Sequence, residues 1–207
     1  MAITTYAELQ TSVANFLARD DLTSRIPEYI DIAEARMSRE LDTRSQEKRA
    51  TATTSASDEF VSLPTDLRKI RLVKLNTDPV DILEYASPKD YYETYASSGG
   101  GRPKIYTVIG AEIALRPVPD SAMTVEIIYS ESISALSDSN TTNTILTRHP
   151  DAYLYGALHA AYLYLLDEAR ANQYDALFSR AMQEIKQDNE KAFFGGPLAM
   201  KSDYAGV

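Results

Sequence analysis

Apolar residues near the start of the chain recur at the spacing of an amphipathic helix. Thr5 and Glu8 stand three positions apart, in the pattern of a capping box that satisfies free N–H groups at a helix start. Behind Thr5, apolar side chains follow at three- or four-residue steps, namely Tyr6, Leu9, Val13, Phe16 and Leu17. We therefore predict a first helix from Thr5 to about Arg19.

A second amphipathic stripe begins after the short polar link at residues 20–23. Its apolar positions are Ile26, Ile30, Ala33, Met37 and Leu41. Pro27 lies in the first turn, where its missing N–H costs little. The pattern predicts a helix that continues to about Arg44 or Lys48. Two helices joined by a short link predict an N-terminal helical hairpin over residues 1–48.

Between residues 49 and 137 the pattern changes to short apolar runs separated by turn residues. Ser87, Pro88 and Asp90 predict the start of one short helix there, because serine caps and proline preorganises the first turn. Closely spaced strands with tight turns favour an antiparallel sheet, so this region is interpreted as a β-rich insertion. The predicted strands are residues 60–63, 70–75, 80–85, 105–109, 112–115 and 123–130.

Helical spacing returns after the polar linker that starts at Asp138. Thr147 or His149 is the predicted cap of a third helix, with Pro150 in its first turn. A fourth helix follows the break at residues 167–172, and the two predict a C-terminal hairpin over residues 138–192. The third helix is apolar or aromatic on more than one face, which is typical of a central core helix. An oligomer interface is the alternative interpretation of the same pattern.

Helices at both ends with strands between them predict an α+β fold. In detail we expect an antiparallel bundle of about four long helices, with a small antiparallel β-sheet inserted in the middle of the chain. Residues 193–207 are apolar and interrupted by glycine and proline. A compact domain has little reason to expose such a segment, so we interpret it as an extended docking tail.

Composition narrows the functional classes. The 207 residues are 44% hydrophobic and 25% charged, which suits one domain, or one core with a small insertion. The absence of cysteine excludes disulfides, thiolate metal sites and a cysteine nucleophile. No apolar run has the ~18 residues of a membrane span, and residues 1–5 lack secretory features. The net charge of −9 disfavours sequence-independent binding of nucleic acid, although DNA can slide past such a surface.

Candidate chemical sites are weak. His149 and His159 stand ten residues apart and are interpreted as structural. Gly99–Gly101 lacks the ending of a phosphate loop and is interpreted as a linker. The acidic pairs Asp81/Glu84 and Asp167/Glu168 show no partner acid, and the turn at Asp138 lacks an EF-hand spacing. The basic clusters at residues 44–49 and 68–74 are interpreted as solvated faces. We predict no catalytic residue, cofactor or metal.

The order of motifs along nearly the whole chain resembles the head–tail adaptor (connector) proteins of tailed bacteriophages. No single motif is specific, but their order and spacing together are. The motifs are TYAEL from Thr5, RIPEYI from Arg25, AEAR from Ala33, LPTD from Leu63, LEYASP from Leu83, GRPK from Gly101, LRPVPD from Leu115, LSDSN from Leu136 and LTRHPDAYLYGAL from Leu146.

This resemblance implies a structural virion protein, not an enzyme. The family commonly forms twelvefold rings that dock under the portal protein, continue the DNA channel and contact the next tail component, a stopper, nozzle or tail tube. DNA would pass without specific binding. The location implied is the head–tail junction, with assembly in the host cytoplasm. The C-terminal segment often reaches into the portal in this family, and the corresponding positions here are Phe193, Phe194, Pro197, Leu198, Met200 and Tyr204.

Two other functions stay open at the level of sequence. One is a small-ligand-binding module or enzyme with its site near the Gly99–Gly101 loop. The other is a regulatory interaction protein built on a generic helical bundle. Ring-shaped particles would distinguish the adaptor from both.

Overall fold

The computed structural model describes residues 2–94 and 99–193, with the side chains of Ala192 and Phe193 left out. The chain divides into two compact units. Unit 1 combines Met1–Ser45 with Ile133–Val207, and unit 2 is Gln46–Ser132. Within the described ranges, no helix combines the length and the apolar character that crossing a membrane requires.

The described residues form six α-helices and nine strands. The helices are α1 (Tyr6–Leu17), α2 (Ile26–Glu40), α3 (Pro88–Thr94), α4 (Thr144–Arg148), α5 (Pro150–Tyr164) and α6 (Glu168–Phe193). The strands are β1 (Glu47–Thr53), β2 (Phe60–Ser62), β3 (Leu67–Leu75), β4 (Asp81–Tyr85), β5 (Gly100–Gly101), β6 (Ile105–Ile109), β7 (Glu112–Arg116), β8 (Val118–Pro119) and β9 (Thr124–Glu131).

The predicted fold class is wrong in its proportions. The sheet of unit 2 is large: seven strands in the order β1-β9-β3-β4-β6-β7-β2 form it, and its edge strands β1 and β2 approach each other, so that it nearly closes. Six helices, instead of four with a small sheet, make up the helical part of the described chain. The pairs β1–β9 and β2–β7 join strands far apart in sequence, and such pairing leaves no local signal.

The helix starts follow local chemistry. The Thr5 hydroxyl accepts a hydrogen bond from the N–H of Glu8, whose carboxylate accepts one from the N–H of Thr5, which confirms the capping box. Helix α2 ends at Glu40, short of the predicted Arg44 or Lys48, because the chain becomes extended at Leu41 and then enters β1. The predicted third helix is α5, which begins at Pro150 behind His149 as its N-cap residue. The short helix α4 before it was not predicted, and it ends at Arg148 because the residue before a proline avoids helical angles.

Helix α5 is the central helix of unit 1. It packs against α1, α2, α4 and α6, which confirms its interpretation as a core helix. Gly156 permits the closest approach: a Cβ atom there would lie 2.8 Å from the Ala33 Cβ on α2 and 3.0 Å from Cε2 of Phe178 on α6. The fully buried Tyr153 lies one turn earlier on the same helix.

The seven-stranded sheet of unit 2 encloses its own hydrophobic core, to which six of its strands contribute buried residues and β1 contributes the partly buried Ala50 and Ala52. Its strand pairs are antiparallel except for β4–β6, which is parallel. Helix α3 places Tyr91 fully buried beside β6. The Arg116 guanidinium lies 5.0 Å from the Tyr91 ring centroid and 4.9 Å from that of Tyr92, which anchors α3 to β7. Burial raises the pKa of Tyr91 to about 12.

Candidate functional surfaces

The predicted docking tail falls almost entirely outside the described residues. Phe193 is the last residue of α6, without a described side chain, and Phe194, Pro197, Leu198, Met200 and Tyr204 lie beyond the described part of the chain. What the structure places is the origin of the tail, at the end of a helix of 26 residues. The surroundings of this helix end are therefore of functional interest.

The C-terminal half of α6 is joined to the segment that follows α2. The Asn189 side chain accepts a 2.6 Å hydrogen bond from the backbone N–H of Arg44 and donates a 3.2 Å bond to the carbonyl of Asp42. Lys186 lies 3.4 Å from the Glu40 carboxylate, one turn earlier on α6. These contacts hold the backbone of residues 42–44 beside the helix.

A groove of about 350 Å³ lies between this segment, α6 and the start of α4 and α5. Its floor includes the buried side chains of Ile145 and Ile185, and polar or charged groups form the rest. The lining residues are Thr43, Arg44, Ser45, Thr144, Ile145, Arg148, His149, Ile185, Asp188 and Asn189. Asn143 positions this wall, because its side chain accepts the N–H of Leu146 and caps α4.

The charges in the groove are unbalanced. Its described lining residues include two arginines, Arg44 and Arg148, and one aspartate. The carboxylate of this aspartate, Asp188, is already 3.3 Å from the Lys191 ammonium. Arg148 is exposed, and within the described chain it forms no ion pair. The groove is thus a locally positive concavity on a protein with a net charge of −9.

Sequence reasoning missed this groove. It recognised His149 only as a helix start, and His149 is indeed the N-cap residue of α5 without a side-chain capping bond. Arg148 and Asn189 carried no signal, since single polar residues in helices are usually solvated. The adjacent Arg148 and His149 before Pro150 were the available hint, because a proline break turns neighbouring side chains out of the helical register.

Apart from Arg44, which belongs to unit 1 and lines the groove, the basic clusters form polar faces inside unit 2. Strands β1 and β3 flank β9, which brings Arg49 and Lys74 to 3.8 Å and 3.3 Å from the Glu126 carboxylate. Hydrogen bonds from Asn76 and, with a smaller effect, from Lys74 lower the pKa of Glu126. The positive charges of Arg49 and Lys74 are therefore compensated by the Glu126 carboxylate within the sheet.

The other weak candidates have structural surroundings. His159 is 3.0 Å from the carbonyl of Ala171 through Nδ1, in the contact between α5 and α6. Gly100 and Gly101 pair with Val118 and Pro119 in a short parallel ladder, and Arg102 contacts Asp81, so the described part of the glycine loop is held in strand pairing. Across residues 2–94 and 99–193, no cluster of three or more histidine, aspartate or glutamate side chains has the geometry of a metal site.

Unit 1 also contains one buried carboxyl group. Oε1 of Glu34 accepts hydrogen bonds of 2.9 Å from the N–H of Leu136 and from the Tyr153 hydroxyl. Asn143 donates in turn to the Tyr153 oxygen at 2.6 Å. Burial raises the pKa of Glu34 despite these donors. The network ties α2, α5 and the segment before α4 together and contributes to the groove only through Asn143.

An exposed apolar end of unit 1 lies where α5 meets α6. Leu163 and Tyr164 are about half exposed, and Leu166 is 87% exposed. Leu166 also has a φ of 56°, a left-handed conformation that usually selects glycine. Tyr164 is stacked under the Arg25 guanidinium at 4.9 Å. Leu166 thus combines an exposed apolar side chain with a left-handed backbone, and both reduce the stability of the subunit. This combination suggests a role in contact with another protein.

Comparison with known proteins identifies one family. A family model described as SU10 adaptor protein matches residues 4–201, nearly the whole chain. No curated protein matches the chain. The matched range includes all of unit 2 and most of unit 1.

Proposed function

The chain belongs to the SU10 adaptor protein family, and from this premise we propose that it is a structural head–tail adaptor that joins the capsid portal to the tail of a bacteriophage. The family match over residues 4–201 is the observation that carries this proposal, and it agrees with the independent resemblance of the motif order. An adaptor needs surfaces that bind other proteins and no catalytic machinery.

In the proposed assembly, copies of the chain form a ring, twelvefold as is common in the family, docked on the portal. The DNA channel continues through the ring towards the next tail component. The exposed apolar end at Leu163, Tyr164 and Leu166 supports self-association, because burying these side chains against another copy would be favourable. The net charge of −9 supports passage of DNA without specific binding. The proposed location is the head–tail junction of the virion, after assembly in the host cytoplasm.

The docking tail is proposed to bind the portal through Phe193, Phe194, Pro197, Leu198, Met200 and Tyr204. Their apolar character supports this, since each fully buried large side chain contributes about 1.5–3 kcal/mol. The 15 residues from Phe193 to Val207 would span on the order of 45–50 Å if extended, long enough to reach a neighbouring protein.

Deletion of residues 193–207 tests this role. We expect the subunit to remain folded, because Ile185 on α6 is the last buried residue of the unit 1 core in the described part of the chain. Portal binding should weaken at least about hundredfold, since several apolar anchors are lost. The measurements are thermal unfolding by circular dichroism and co-sedimentation with purified portal protein.

The matched control keeps the length of the tail and replaces its six anchors, from Phe193 to Tyr204, with serine. This variant should lose binding like the deletion if side chains, and not tail length, make the contact. Portal binding as tight as that of the full chain in either variant would refute the assigned role of the tail. Negative-stain microscopy of the wild-type mixture should show stacked rings, and its failure to do so would contradict the adaptor itself.

A further inference from the structure

The groove beside the end of α6 has the charge of a receptor for an anion. Arg44 and Arg148 line it, whereas its single carboxylate, Asp188, is engaged by Lys191 outside the groove. Arg148 is exposed and has no ion pair within the described chain. Asn189 supports the wall by holding the backbone of Asp42 and Arg44, so the shape does not depend on a ligand.

The remaining lining indicates the class of anion. Ile145 and Ile185 contribute buried apolar side chains, and Thr43, Ser45 and Thr144 contribute hydroxyl groups, of which those of Thr43 and Ser45 bond each other at 2.8 Å. An acidic side chain next to an apolar one on a peptide matches this mixture, since the carboxylate can take a charge-assisted bond from arginine while its neighbour covers the floor. DNA is a poorer match, because binding to its backbone relies on many phosphate contacts and the groove offers only two arginines.

We propose that this groove is a binding site for an acidic segment of a partner protein, and that the partner is the portal. The identification of the portal as the partner rests on the proposed function. Asn189 lies one helical turn, about 6 Å, before Phe193, from which the docking tail leaves. A protein that holds the tail is thereby brought next to the groove, so the two contacts reinforce each other as a bivalent attachment.

Charge reversal at Arg148 tests the site. Arg148→Glu should weaken portal binding by about tenfold or more, because one charge-assisted bond becomes a repulsion. The variant should fold normally, since the side chain is exposed and outside both cores. Arg180→Glu is the matched control: Arg180 is exposed on α6, does not line the groove, and its reversal changes the net charge equally. Its affinity should stay within about twofold of wild type.

A probe that does not depend on the portal separates the two proposals. Hexaglutamate peptide and a short DNA duplex are titrated into the wild-type protein and Arg148→Glu, with amide chemical shifts as the readout. The peptide should shift amides at Ile145, Arg148 and Ile185 in the wild type only. If the wild-type protein fails to bind portal while these shifts occur, the proposed function fails and the acidic-segment site stands.

The other outcomes overturn the inference. Absence of peptide-induced shifts in the groove removes the site, whatever the portal does. Unchanged portal affinity of Arg148→Glu, in the presence of wild-type binding, removes the portal as the occupant. Groove shifts with duplex at lower concentrations than with peptide would replace the acidic segment by nucleic acid phosphate.

Discussion

Individual residues in unit 1 illustrate how burial changes the behaviour of a group that is ordinary in sequence. Glu34 is 7% exposed and accepts two hydrogen bonds on one oxygen, Oε1. Because burial raises the pKa of Glu34, the folded state holds the proton more tightly than the unfolded state does. Its contribution to stability is therefore greatest at low pH and falls as pH rises from the ordinary glutamate range towards the raised pKa.

Glu34→Gln should reduce the loss of folding stability that the wild-type protein shows as pH rises. The glutamine Oε1 can still accept the bonds from Leu136 and Tyr153, while no charge develops in the buried site. As pH rises above the ordinary glutamate range, the free energy of unfolding of the variant should thus increase relative to that of wild type. This difference should become constant once the pH exceeds the raised pKa of Glu34. Urea titrations at several pH values measure it. Glu28→Gln, an exposed position on the same helix, is the control, and equal pH profiles for both variants would contradict the assignment.

At the scale of elements, the close contact of α5 with α2 and α6 depends on the absence of a side chain at Gly156. Gly156→Ala places a methyl group 2.8 Å from the Ala33 Cβ and 3.0 Å from the Phe178 ring, so helices must shift. We expect a loss of about 1–3 kcal/mol in the free energy of unfolding, as for other overpacked cores. Denaturant titration measures the loss.

Gly99→Ala is the matched control for this substitution. A Cβ at Gly99 meets nothing within 4 Å, so the added methyl group has open space. The free energy of unfolding of this control should stay within about 0.5 kcal/mol of wild type. A Gly156→Ala variant as stable as the control would show that the helices can separate at no cost, which contradicts a tightly packed core.

The elements also show where local sequence is sufficient. The capping box at Thr5, the helix start at Pro150 and the serine cap before α3 were predicted correctly, because each depends on residues within one turn. The end of α2 was not, because the following residues are drawn into β1 by pairing with β9, more than 70 positions away. The short edge strand β1, rich in threonine and alanine, had no apolar run to reveal it.

At the scale of the whole molecule, the two units have separate hydrophobic cores that share no residue. Phe178 is fully buried in unit 1, and Ile127 is 1% exposed in unit 2. Phe178→Ala should therefore accelerate hydrogen exchange most in α1, α2, α5 and α6, and Ile127→Ala most in β3 and β9. Each substitution should cost about 2–5 kcal/mol in the unit that contains it.

Hydrogen exchange read by mass spectrometry measures this reciprocal pair, and each variant is the control for the other. Uniform acceleration over both units by either substitution would mean that the chain unfolds as one cooperative block. Acceleration confined to the unit that contains each substitution would mean that the two units are separately stable.

Some features of this protein could be predicted from the sequence, and others depend on the tertiary structure. Residue types and their order were enough to predict helices α1, α2, α3, α5 and α6, six of the nine described strands and the family, because caps, turns and periodicity act within a few residues. The size of the sheet and the positive groove came only from tertiary structure. Strand pairs between distant parts of the sequence nearly close the sheet. The groove forms because the packing of α6 brings Asn189 next to Arg44 and Arg148, although Arg44 and Asn189 are more than 100 positions apart in the sequence.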